Sequence, residues 1–123
     1  MSLFQIHIPG LVAWAMGGIM LLCGMALFAW WKSFWSKQNK GQIVTQGIYR
    51  YIRHPHYSSI ILICLGGAIL STYLFAFLIT AAIAISFFYW GAIREERELI
   101  KAHGKAYQDY MKAVKGRFFP RVF

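Results

Sequence analysis

The sequence predicts an all-α integral membrane protein of three transmembrane helices, the last two a tight hairpin, plus a cytoplasmic amphipathic C-terminal helix. Three observations predict it. Of 123 residues, 59% are hydrophobic, and the mean hydropathy is +0.48, too apolar for a soluble globule of this size. Residues 1–31 and 54–93 hold no formally charged side chain. All 13 Lys and Arg fall in 32–53 and 94–121, and all 4 Asp and Glu in 95–109. Charge excluded from two blocks and concentrated beside them is the pattern of apolar spans with basic flanks. The same placement accounts for the net +9 without nucleic acid, which is excluded as a partner class.

One domain, 1–123, is expected, with spans at about 9–31, 57–71 and 73–93, a loop 32–56 and a tail 94–123. The first uncharged stretch, from Pro9 to Trp31, would be roughly 34 Å long as a helix and crosses a hydrocarbon core. Gly10, Gly17, Gly18 and Gly24 let another helix approach it closely. Trp30, Trp31 and Trp35 read as an aromatic belt, with Lys32, Lys37 and Lys40 just beyond. No basic leader precedes this run, which is also too long and aromatic for a cleaved signal peptide.

From Tyr57 to Ile93 the chain is uncharged again, too long for one span and enough for two short ones of roughly 27 Å each. The turn belongs at Ser71-Thr72, with Gly66-Gly67 as the alternative. Since loop 32–56 and the tail carry every basic residue, both are expected on the cytoplasmic face, with the N-terminus outside. Cys23 and Cys64 read as small buried hydrophobes, not a disulfide.

The tail from Arg94 to Val114 reads as an amphipathic helix at 100° per residue, Ile93, Ile100, Tyr107, Met111 and Val114 forming its stripe. Gly104 would bend it and Pro120 marks its end region. Glu96 breaks the pattern by falling within the apolar stripe. A carboxylate there needs a partner, which is either Arg50 or Arg53 in a salt bridge, or a ligand's cation or hydroxyls.

Between the spans lies Gly47-Ile48-Tyr49-Arg50-Tyr51-Ile52-Arg53-His54-Pro55-His56-Tyr57, two arginines, two histidines and three tyrosines ending in a bend, because Pro55 turns His54 away from helical geometry. His54 and His56 lack a third ligand at useful spacing, so no metal is expected. The tyrosines alone would suit an interfacial belt.

The run from Ile43 to Tyr57, with Val44-Thr45, Gly47, Tyr49 and Arg53-His54-Pro55-His56-Tyr57, resembles the signature of the isoprenylcysteine carboxyl methyltransferase and phospholipid methyltransferase superfamily. The tail Glu95-Glu96, then His103-Gly104, Tyr107, Tyr110, Val114 and Pro120, is similar to the same family's ending. The resemblance implies a membrane methyltransferase using S-adenosylmethionine on a lipophilic small-molecule or lipidated acceptor, at the cytoplasmic face among membrane lipids. It implies cofactor binding by Gln42, Ile43, Val44, Tyr49, His54, Pro55, His56, Tyr57 and Glu95. Arg53 would orient an anionic acceptor and Glu96 would serve as base for an amine; both are expected to be catalytic. Arg94 stands nearest to the family's substrate arginine, whose own place is Gly91; Gly41 stands where relatives carry His. Isoprenylcysteine-type carboxyl O-methylation leads, phospholipid amine N-methylation follows, and a non-enzymatic membrane scaffold is the rival. Larger relatives have extra N-terminal spans, so a homodimer through the span-one glycines would complete this core.

Overall fold

The computed structural model describes residues 3–37 and 43–119. They are all-helical, with no strand among the described residues: α1 (Gly10–Ser36), α2 (Pro55–Leu70), α3 (Leu74–His103), α4 (Lys105–Ala113) and short 3-10 turns at Leu3–Gln5 and Gly47–Arg50. Gln42 and Pro120 lie outside the described residues.

The first helix begins after Pro9 and runs past the tryptophan belt to Ser36, so the polar loop starts later than expected. Leu27, Trp31 and Phe34 share one face at helical spacing and pack against a buried cluster of Ile48, Tyr49, Ile52, Tyr107, Tyr110 and Val114. That contact extends the helix despite Lys32. His54 is non-helical (φ −130°, ψ 67°), as the proline after it favours, and Pro55 opens α2 at its first position, where its missing N–H costs nothing.

α2 stops at Leu70, and Ser71-Thr72 makes the turn, with Thr72 at φ 68°. Gly66-Gly67, the alternative, stays inside α2. The N-terminal lead closes onto this turn: Ile8 N–H donates to the Thr72 carbonyl at 2.6 Å and Leu74 N–H to the Ile6 carbonyl at 3.0 Å.

α2 lies between α1 and α3. Its approach to α1 is close enough that a Cβ on Gly17 would sit 2.8 Å from the Gly66 carbonyl, and one on Gly24 2.9 Å from that of Ser59. Two of the four span-one glycines thus pack the chain's own hairpin, while Gly10 and Gly18 face open space.

The third helix corrects the expected tail. It does not end near Ile93 but continues through His103, so Arg94–His103 prolongs α3 instead of beginning a separate amphipathic helix. The break comes at Gly104 (φ 61°), and α4 covers Lys105–Ala113 alone.

α1 and α3, about 40 and 45 Å long, are long and apolar enough to cross a membrane. α2, with 16 residues, measures about 24 Å and falls short of that length. The outer faces of α1 and α3 carry Leu11, Trp14, Ile19, Leu22, Ile83, Phe87 and Trp90, all more than half exposed. An apolar surface that continuous is the mark of a partner or a membrane, not of water. Cys23 is exposed on α1, contrary to the buried position expected, and Cys64 is half-buried.

One end of the molecule therefore holds the lead and the hairpin turn. The other gathers the end of α1, the bend before α2, the polar end of α3, and α4.

Candidate ligand cavity

At this second end a cavity of about 230 Å³ opens. Its wall carries Ile43, Val44, Tyr49, Arg53, His54, His56 and Glu95, together with Trp31, Trp35, Leu99, Tyr107 and Tyr110. The 3-10 turn Gly47–Arg50 delivers Tyr49. Glycine suits its start: Gly47 has φ 64°, and a Cβ there would meet the Phe34 ring at 2.8 Å. Tyr49 is then fixed at both ends, accepting a hydrogen bond from Trp31 Nε1 at 2.8 Å on its hydroxyl, while its carbonyl accepts from the Tyr110 hydroxyl at 2.7 Å. Burial pushes the Tyr49 hydroxyl up to about 12, against the lowering effect of the Trp31 bond and with the Glu95 charge adding to the rise. Burial likewise raises Tyr107 and Tyr110, so the three phenols stay neutral.

His56 stacks on Trp31 with ring centroids 4.9 Å apart. Burial first, and the charge of His54 second, hold its imidazole down at about 4, so it is neutral at pH 7. Glu95, half-exposed, accepts from the Tyr57 hydroxyl at 3.0 Å and stands 4.0 Å from His56 Nε2.

Beneath this wall lies an ion cluster centred on Glu96, which is 3% exposed. Arg53 Nη1 donates to Oε1 at 3.0 Å, His54 Nε2 meets Oε2 at 2.7 Å, and Arg117 Nε reaches Oε2 at 3.0 Å and Oε1 at 3.3 Å. An ionised carboxylate only accepts, so His54 is the Nε2–H donor. Burial alone would raise the Glu96 pKa; the bonds from His54 and Arg117 and the Arg53 charge outweigh it and hold the carboxyl below its ordinary range. Of the two arginine partners weighed for Glu96, Arg53 makes the bridge, whereas Arg50 is exposed.

Glu96 is thus placed under the cavity, not on its wall, with both oxygens committed. Pro55 is buried at the helix start and Tyr57 half-buried behind Glu95. Arg94 sits apart, its guanidinium carbon 5.4 Å over the Trp90 ring, in a neighbouring recess with Tyr57, Gly91, Glu95 and Glu98. Gln42 lies outside the described residues. Sequence reasoning missed Trp31 and Trp35, taken for a lipid-facing belt; the i, i+3 spacing of Trp31 and Phe34 was the available signal. It also missed Tyr107 and Tyr110 as wall residues, though Tyr107 falls on the helix stripe and Tyr110 flanks it. Nothing local marked Arg117.

Three polar atoms here are buried without a hydrogen-bond partner among the described residues: Arg53 Nε, His54 Nδ1 and His56 Nδ1. Buried polar groups are rarely left so unless a ligand or water meets them. Aromatic faces, a neutral imidazole, an arginine and a carboxylate around one cavity suit a small molecule carrying a cation, a carboxylate and hydroxyls.

The chain matches the phospholipid methyltransferase family model over residues 6–106. It is also 35% identical over 80 residues to the protein-S-isoprenylcysteine O-methyltransferase of Schizosaccharomyces pombe, an alignment covering 64% of this chain and 34% of that protein. The chain thus spans about a third of the length of that relative.

Proposed function

The chain belongs to the phospholipid methyltransferase family, and from that premise we propose that it transfers a methyl group from S-adenosylmethionine to a lipophilic acceptor at a membrane face. The observation that carries this reading is the cavity itself. Its aromatic rings, Arg53, His56 and Glu95 match the cofactor's sulfonium, carboxylate, ammonium and ribose, and buried unpartnered nitrogens belong to its wall residues. Bound there, S-adenosylmethionine would supply an electrophilic methyl group on a positively charged sulfur.

The residues divide the work. Trp31, Tyr49 and Tyr107 present ring faces, the two tyrosines with neutral hydroxyls. Glu95 receives an ammonium or ribose hydroxyls; Arg53 and His54 receive a carboxylate or orient an anionic acceptor. The surrounding apolar wall of Ile43, Val44 and Leu99 excludes water, which favours a reaction in which opposite charges cancel.

Carboxyl O-methylation of an isoprenylcysteine-type acceptor is the leading reading. A carboxylate arrives ionised and needs no base, whereas an amine does. Glu96, expected as that base, has both oxygens engaged, and His56 is too weakly basic at about 4. The relative named above is an isoprenylcysteine O-methyltransferase, which points the same way. Phospholipid amine N-methylation is the second reading, favoured by the family's description and by Glu95, a carboxylate on the wall.

Among the described residues the basic side chains gather at the cavity end, and the positive-inside rule supports a cytoplasmic placement of that end, with three spans at about 9–31, 57–71 and 73–93 within α1, α2 and α3. The short α2 would cross with its partners tilted or the bilayer thinned.

The test is methyl transfer from tritiated S-adenosylmethionine by the detergent-purified chain, offered a farnesylcysteine derivative and phosphatidylethanolamine. Base-labile label in the prenylcysteine is expected. Label confined to the phospholipid would establish the amine reading, and label in neither, without cofactor binding, would leave a scaffold.

A further inference from the structure

The segment beyond α4 lies past the 6–106 matched to the family, yet backbone and side-chain bonds tie it to residues of the cavity wall. Residues 114–119 run back across the bend before α2. The Gly116 carbonyl accepts from the Arg53 amide and the Arg117 carbonyl from the His54 amide, each at 2.9 Å. Ser58 Oγ donates to the Phe118 carbonyl at 2.7 Å. Phe118 is 1% exposed and packs with Ile61 and Ala92 between α2 and α3. The Arg117 side chain reaches both Glu96 oxygens and lies 5.0 Å over the Tyr89 ring.

These contacts fall where the bend cannot support itself. Arg53 and His54 precede the helix, so no turn of α2 can accept from their amides, and a buried N–H left unpaired is costly. Their side chains form part of the cavity wall and also grip Glu96. Glu96 in turn receives a third donor only from Arg117. Backbone and side chain of one short segment therefore fix the same two wall residues from behind.

We infer that residues 114–119 are a clasp that shapes the ligand cavity, and that Arg117 is a positioning residue for it, acting through Glu96 on Arg53 and His54 without lining the wall. The inference rests on the reading of the cavity as a cofactor site, and two independent readouts keep the two separable.

The experiment uses the full chain in detergent, as wild type, Arg117→Ala, Arg117→Lys and Ser58→Ala. Hydrogen–deuterium exchange of peptides covering 53–59 needs no ligand. It should accelerate in Arg117→Ala while peptides covering 60–70 remain as in wild type. Calorimetric titration with S-adenosylhomocysteine should show affinity weakened roughly tenfold in the alanine variant. Lysine, which keeps one charge near Glu96, should recover part of both effects, a rescue that simple loss of bulk would not give. Ser58→Ala removes the Phe118 tether, together with the hydroxyl's 3.1 Å contact to the His54 carbonyl, while leaving every side chain of the ion cluster in place, and should raise exchange at 53–59 if Arg117→Ala proves too unstable to purify. Unchanged exchange at 53–59 in both variants overturns the clasp. Raised exchange with wild-type affinity overturns the positioning role. If the wild type itself binds no S-adenosylhomocysteine, the cofactor reading falls, and the exchange data alone decide whether the segment holds the bend.

Discussion

Three donors converge on one buried carboxylate, that of Glu96. Removing one member of such a cluster leaves uncompensated charge, and Glu96→Ala should cost about 3–5 kcal/mol, read as a large drop in thermal midpoint in detergent. Glu96→Gln keeps the shape and loses the charge. If the residue only positions its neighbours, that variant weakens methylation of carboxyl and amine acceptors alike; selective loss with an amine would restore Glu96 as base. Acid acts on the same residues. Glu96 has a depressed pKa, so its contribution is present above the ordinary value of 4.5 and fades as pH falls through the lower folded one. His56 titrates near 6.5 when unfolded but only at about 4 when folded, so stability declines between those values, by about 3 kcal/mol in all. Thermal midpoints measured from pH 7 to 4 should therefore fall continuously, and His56→Gln should flatten the upper part of that slope. A midpoint indifferent to pH in wild type would contradict both assignments. Glu96 was legible in the sequence as a carboxylate on the wrong face of a helix that needs a partner, but the choice among Arg50, Arg53 and a ligand was not; the structure gives Arg53. Arg117 was not legible, since its approach depends on where a non-helical segment folds back, which no periodicity encodes.

At the scale of elements, the glycine contacts between α1 and α2 decide where the cavity wall stands. Trp31 and Phe34 are on the same helix as Gly17 and Gly24, so pushing α1 outward moves the tryptophan away from Tyr49 and His56. Gly66→Val should separate the helices, because its side chain would meet the Gly17 carbonyl and the Leu21 amide at 2.8 Å, backbone atoms that cannot rotate aside. Overpacking of this kind typically costs about 1–3 kcal/mol. Tryptophan fluorescence should shift to the red as Trp31 gains water, while Gly67→Val, open to space, should leave the spectrum unchanged. An identical spectrum for both variants would mean the close approach does not set the wall. The apolar helices and the Ser71-Thr72 turn were legible because charge exclusion and length constrain them directly. The end of α1 and the junction at Ile93 were not: apolar belts and polar flanks mark where a membrane would stop, but a helix continues wherever tertiary packing supports it. Trp31 and Phe34 keep α1 going through Lys32, and α3 keeps its hydrogen-bond ladder until Gly104 breaks it.

For the whole molecule, the arrangement brings the charged clusters of the described residues to one end and leaves broad apolar faces along α1 and α3. That division suits the proposed activity, in which a charged methyl donor would enter from water and a lipophilic acceptor from the bilayer. The most direct measurement is calorimetric titration of the purified wild-type chain with S-adenosylhomocysteine, set beside Tyr49→Ala, which strips the cavity wall without touching the Glu96 cluster. Saturable one-to-one binding to the wild type, weakened at least tenfold in Tyr49→Ala, is the predicted result. No heat of binding at millimolar ligand, or equal affinity in both proteins, would contradict the assignment of this cavity to the methyl donor.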